Sequence, residues 1–90
     1  MTIIFVDKEW LHTIGEIRNL LIFADYTPTH IALLAERAKN TFPFVEAEIA
    51  TFGDNERPFR PVYIPHSLIS AMFDLTAEQA QALGIGGKAR

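Results

Sequence analysis

The spacing of apolar residues changes along this chain, and that change constrains the fold more than any single motif. From about Asp7 to Ala24, the residues Trp10, Ile14, Ile17, Leu21 and Ala24 recur at steps of three and four, with Leu11 and Leu20 widening the stripe. That is the period of an amphipathic helix. Between Pro43 and Phe52 the period falls to two, with Val45, Ala47 and Ile49 alternating with Glu46 and Glu48. Alternation of this kind belongs to a strand with one solvated face. A chain holding both periods is expected to fold as α+β.

The remaining segments extend this pattern. Thr2 to Val6 is rich in β-branched residues and reads as a short strand buried on both faces or nearly so. The first helix turns Glu9, His12, Glu16 and Asn19 to solvent, and Phe23 falls on that polar side, where it requires a partner. Asp25-Tyr26-Thr27-Pro28 ends this helix and caps a second, running to about Asn40. Its inward stripe is Ile31, Leu34, Ala35 and Ala38, with His30, Glu36, Arg37 and Lys39 outside and Leu33 at the margin.

Gly53-Asp54-Asn55-Glu56 has the composition of a turn, and Arg57 to Ile64 returns as a third strand. Pro58 and Pro61 cannot donate ladder hydrogen bonds, so that strand should lie at a sheet edge or be partly polyproline-like. Pro65-His66-Ser67 opens a third helix containing Leu68, Ile69, Met72, Phe73 and Leu75. Thr76-Ala77-Glu78-Gln79 is a capping box whose short helix should end at Gly84, and residues 86–90 read as a flexible tail. The expected architecture is a small, mostly antiparallel sheet of about three strands with helices packed on one face, in the order β-α-α-β-β-α-α. Residues 1–85 are expected to form a single compact domain.

Composition narrows the function classes. The chain has no Cys, so no disulfide or thiolate site can brace a 90-residue fold, and packing or association must supply its stability. The longest apolar run, Leu20-Leu21-Ile22-Phe23-Ala24, is far below the roughly 20 residues that span a bilayer. The N-terminus lacks the basic region and cleavage site of an export signal, so the expected compartment is the cytoplasm. Eleven acids against eight bases give a net charge of −3, whereas phosphate binding usually draws on a basic surplus.

No residue set is assigned a catalytic, cofactor-binding or metal-ligating role. Glu9 and His12 have the Glu-x-x-His spacing that puts two ligands on one helix face. The spacing occurs once, so a metal-dependent enzyme would need a dimer to supply a second copy. His66 beside Ser67 lacks a strand-to-helix elbow, and Gly84, Gly86 and Gly87 have no following helix with which to cradle a phosphate. Pro58-Phe59-Arg60-Pro61 matches a Pro-x-x-Pro ligand, which an edge strand also explains.

Two resemblances bear on nucleic acid. Leu75 to Ile85 is similar to the first helix and turn of a helix-turn-helix, without room for a recognition helix. The expected β-α-α-β-β-α order resembles that of a KH domain, which implies binding of RNA or another single strand. Where a KH domain carries Gly-x-x-Gly, this chain reads Asp25-Tyr26-Thr27-Pro28-Thr29-His30. Phe42, Phe44, Phe52 and Phe59, near Arg57 and Arg60, are the candidate base-stacking residues.

The apolar surplus favours another reading: a protein-interaction module that regulates, inhibits or scaffolds a partner, as a homodimer. Candidate contact residues are Phe23, Leu33, Phe59, Ile69, Met72 and Phe73, with Arg57 and Arg60 as rim charges. In style the chain resembles small bacterial or phage accessory proteins, including inhibitors of host enzymes.

Overall fold

The computed structural model describes residues 1–52 and 58–82, and its dominant feature is one antiparallel sheet. Strand β1 (Thr2–Asp7) leads into a short helix α1 (Glu9–Ile14) and a 3₁₀ segment, Gly15–Leu20. Strands β2 (Phe23–Thr27), β3 (His30–Thr41), β4 (Phe44–Ala50) and β5 (Phe59–Pro65) follow. A 3₁₀ turn, His66–Leu68, joins β5 to β6 (Ile69–Asp74), and helix α2 (Ala77–Ala82) ends the described chain.

The order across the sheet is β5-β4-β3-β1-β6, with β2 also paired to β3. Strand β3 is long enough to serve three neighbours. Its first half pairs with β1 on one side and β2 on the other, while its second half pairs with β4. The pairing slips at Glu36, between Ala35 and Arg37, where β4 leaves the ladder and β2 takes its place. The start of β2 then meets the end of β4: Ile22 N–H donates to Ala50 O at 3.0 Å, and Phe52 N–H to Leu20 O at 2.8 Å.

The connection between β5 and β6 dictates the curvature. Four strand spacings would separate the outer strands of a flat sheet by about 19 Å, whereas the four residue steps from Pro65 to Ile69 reach at most about 14 Å. The sheet therefore curls, and its concave face encloses the main core. Ile4, Val6, Ile31, Leu33, Val45, Ala47, Ile49 and Ile64 line that face, and Trp10 and Leu21 close it.

The α+β expectation, with about three strands and a helical layer, is overturned. The second expected helix is β3: Ile31 to Ala35 are all buried because β3 is central and covered on both faces, so its run is continuous rather than alternating. Only six residues of the first expected helix are α-helical. Gly15 ends α1 at φ +66°, a conformation reserved for glycine, and the chain reaches Phe23 as strand. The third expected helix is the 3₁₀ turn followed by β6, where Ile69 and Met72 pack inward and Phe73 points out.

Other expectations hold. β1 is buried on both faces, β4 turns Val45, Ala47 and Ile49 inward, and β5 lies at a sheet edge. The capping box is reciprocal: Gln79 N–H donates to Thr76 Oγ1 at 3.1 Å, and Thr76 N–H to Gln79 Oε1 at 3.0 Å. The expected turn at 53–56, the helix end at Gly84 and the tail at 86–90 lie outside the described residues.

Candidate functional site

The outer face of the sheet is built from the residues that alternate with the core, and it divides into two halves of different chemistry. On β3 and β4, Arg37 stands opposite Glu48 and Lys39 opposite Glu46. These four line an open groove of about 280 Å³ with Ala38. Neither pair closes to an ion-pair distance, so their cross-strand attraction is at most the roughly 0.2–1 kcal/mol of facing opposite charges.

The other half is apolar. Ile3, Ala32 and Leu34 form a second buried cluster, with Phe5 and Leu75 packed against it. Above them lie three rings. Phe5 stands 4.2 Å from Tyr26, centroid to centroid and tilted by 35°, and 6.0 Å from Phe73 in an edge-to-face pair. Such pairs contribute about 0.5–1.5 kcal/mol beyond area burial. Tyr26 nonetheless remains 60% exposed and Phe73 55%.

Topology brings these rings together. Phe5 is on β1, which runs between β3 and β6, and Ile3 stands opposite Phe73. Tyr26 occupies the irregular position between Asp25 and Thr27 where β2 slips against β3, and that slip lets its ring reach Phe5. One end of the patch is held by His30, whose Nε2 meets Ser70 Oγ at 2.7 Å and whose Nδ1 meets Thr29 Oγ1 at 2.8 Å. The Ser70 bond ties β3 to β6 across β1.

Asp7, two residues after Phe5 on β1, shares its face and stands opposite His30, whereas Asp25 stands opposite Ile31 and Asp74 opposite Thr2, at core-side positions of the alternation. Lys8 lies 3.5 Å from Asp25, and Asp74 Oδ1 accepts a hydrogen bond from Thr2 Oγ1. Among the described residues no group of three or more His, Asp or Glu is placed to hold a metal ion, and Glu9 and His12 lie exposed on α1. No described helix is long and apolar enough to cross a membrane.

Of the expected contact residues, Phe73 is the one that the structure leaves at the surface as a large exposed apolar side chain. Leu33 is fully buried opposite Ile4 and Phe23, so it belongs to the core rather than to a contact surface. Phe23, Ile69 and Met72 are half-buried against the same core. Phe59 is half-buried on β5 opposite Ala50, and Arg60 is exposed beside it. Arg57 lies outside the described residues.

The four phenylalanines expected to stack bases do not share a platform. Phe44 and Phe59 sit at opposite ends of the β4–β5 ladder, six strand steps or about 20 Å apart. Phe42, 84% exposed, packs beside the His66 ring at the β3–β4 turn, and Phe52 follows β4 at its far end. The KH order is absent because its second and third helices are strands. Pro58 to Pro61 runs into the paired strand β5, which accounts for the Pro-x-x-Pro match.

No protein-family model, curated protein or solved structure compared with this chain matches it.

Sequence reasoning missed Phe5 and Tyr26. A signal for Phe5 was present: Ile3 and Phe5 alternate with Ile4 and Val6, so β1 offers apolar side chains to both faces. A second face that apolar demands cover. Tyr26, inside an apparent turn, carried no such signal.

Proposed function

We propose that this chain is a non-enzymatic protein-interaction module that regulates, inhibits or scaffolds a partner protein. Its contact surface is the outer sheet face around Phe5, Tyr26 and Phe73. One observation carries the reading: Phe5 on interior strand β1 touches the rings of Tyr26 and Phe73 on the outer face of the sheet, and both of those rings are more than half exposed. Contiguous apolar surface on a small protein is a common mark of a contact site, and Tyr is among the side chains enriched at the energetic centres of interfaces.

Asp7, on the same face as Phe5, favours a partner that brings a cationic side chain among apolar ones. The net charge of −3 works against binding a polyphosphate backbone.

Affinity capture from the native host, run with the wild type and with Tyr26→Ser and Phe73→Ser, tests the reading. A partner retained by the wild type and lost from both variants, with Trp10 fluorescence unchanged, is the expected result. Equal retention by all three would refute the assigned surface. Salt-sensitive binding of single-stranded oligonucleotides that requires Tyr26 would replace the protein partner with a nucleic acid.

A further inference from the structure

We propose that β6 pairs edge to edge with β6 of a second copy of this chain, antiparallel about a two-fold axis at Met72. The outer faces of the two copies then join into one aromatic platform. The pairing deepens the interaction reading and rests on it only for what the joined platform binds.

The two outer strands of the sheet are built differently. β5 carries Pro61 and Pro65, and Pro58 just precedes it, so its backbone is poorly suited to accept another strand. β6 reads Ile69-Ser70-Ala71-Met72-Phe73-Asp74, with no proline, lysine or arginine. Among the described residues its strand partner is β1 alone, so its other side presents an unpaired row of N–H and C=O groups. Proteins usually blunt such an edge with Lys, Pro, a bulge or a cover. Among the described residues the device present is a register slip, and it falls before Ala71, leaving Ala71 to Asp74 in regular register with β1.

The sequence of β6 complements itself. With Met72 on the axis, Phe73 of each copy stands opposite Ala71 of the other on the outer face, so a large ring lies over a methyl group. Asp74 stands opposite Ser70. Asp74 is the only charged residue of the strand, and this register keeps the two carboxylates apart. Register about Met72 also places Phe73 beside its copy's outer apolar patch, continuing the row Tyr26, Phe5 and Phe73 across the axis.

Sedimentation equilibrium of the purified full chain, with cross-linking of single-cysteine variants, tests the pairing. The native chain has no Cys, so each variant reports one position. The expected results are a mass twice the 10.1 kDa of the chain, rapid disulfide formation by Met72→Cys under oxidation, and little by Tyr63→Cys on β5. Ala71→Lys, which places a charge against the partner's Phe73, should weaken dimerisation by about tenfold or more.

A wild type that stays monomeric at its highest soluble concentration overturns the proposal, as does Tyr63→Cys cross-linking as fast as Met72→Cys. Hydrogen exchange supplies a second measurement that needs no variant. Protection of outward-facing β6 amides should rise with protein concentration; protection independent of concentration would overturn the pairing. A monomer that still captures its partner through Tyr26 removes the pairing and leaves the interaction reading standing. A β6-paired dimer that captures nothing does the reverse.

Discussion

Leu33→Ala separates a core role from a contact role for a residue whose sequence position suited either. Leu33 is fully buried on the concave face, opposite Ile4 on β1 and Phe23 on β2. The substitution removes three carbon atoms, about 2.4 kcal/mol of transfer free energy at roughly 0.8 kcal/mol per methylene. The neighbours belong to a central strand and its ladders and cannot collapse fully into the space, so the residual cavity raises the cost to about 3–4 kcal/mol. For a 90-residue chain, an unfolding entropy of about 2.1 cal/mol/K per residue turns this into a fall in Tm of about 15–20 °C. Phe73→Ala is the comparison. That ring is more than half exposed, so its loss should cost about 1–2 kcal/mol, part of it the edge-to-face contact with Phe5. Thermal unfolding followed by circular dichroism measures both. A cost for Leu33→Ala below about 1 kcal/mol, or no greater than that of Phe73→Ala, would refute the assignment of Leu33 to the core and Phe73 to the surface.

Gly15→Ala should lose about 1–3 kcal/mol although nothing lies within 4 Å of an added Cβ, because the strain is in the backbone at φ +66°; chemical denaturation gives the value, and a neutral result would show that the chain can leave that conformation. Trp10, the single tryptophan, is 2% exposed and should emit at short wavelength and resist acrylamide quenching until the protein unfolds. Thr76→Ala removes the capping box and should destabilise α2 by about 1 kcal/mol. The helix residues with described side chains are all exposed, so the loss should appear as faster amide exchange over 77–82 with little change in Tm. Asp25→Asn breaks the surface pair with Lys8 and should change stability by less than about 0.5 kcal/mol, measured by urea unfolding.

Where one strand face met solvent, the sequence was sufficient. β4 alternates because Glu46 and Glu48 lie outside and Val45, Ala47 and Ile49 inside, and period two is then the only fit. The capping box at Thr76 was equally legible, since its hydrogen bonds close within four residues. Prolines at 58 and 61 located an edge because a missing N–H is a local property.

What the sequence by itself determined about this protein was local: both parities of β1 apolar, the inward and outward faces of β4, the edge character of β5 and the cap of α2. Only the tertiary structure decided that Ile31 to Ala35 form a central strand. Its residues Ile-Ala-Leu-Leu-Ala suit a helix at least as well, and burial on both faces removes the alternation that would have marked a strand. The candidate site was decided at the same level. Phe5, Tyr26 and Phe73 are separated by 21 and 47 positions in the chain, and their rings meet because β1 lies between β3 and β6 and β2 slips by one residue at Tyr26. A contact made through strand order across a curled sheet leaves no periodic trace in the residues that make it.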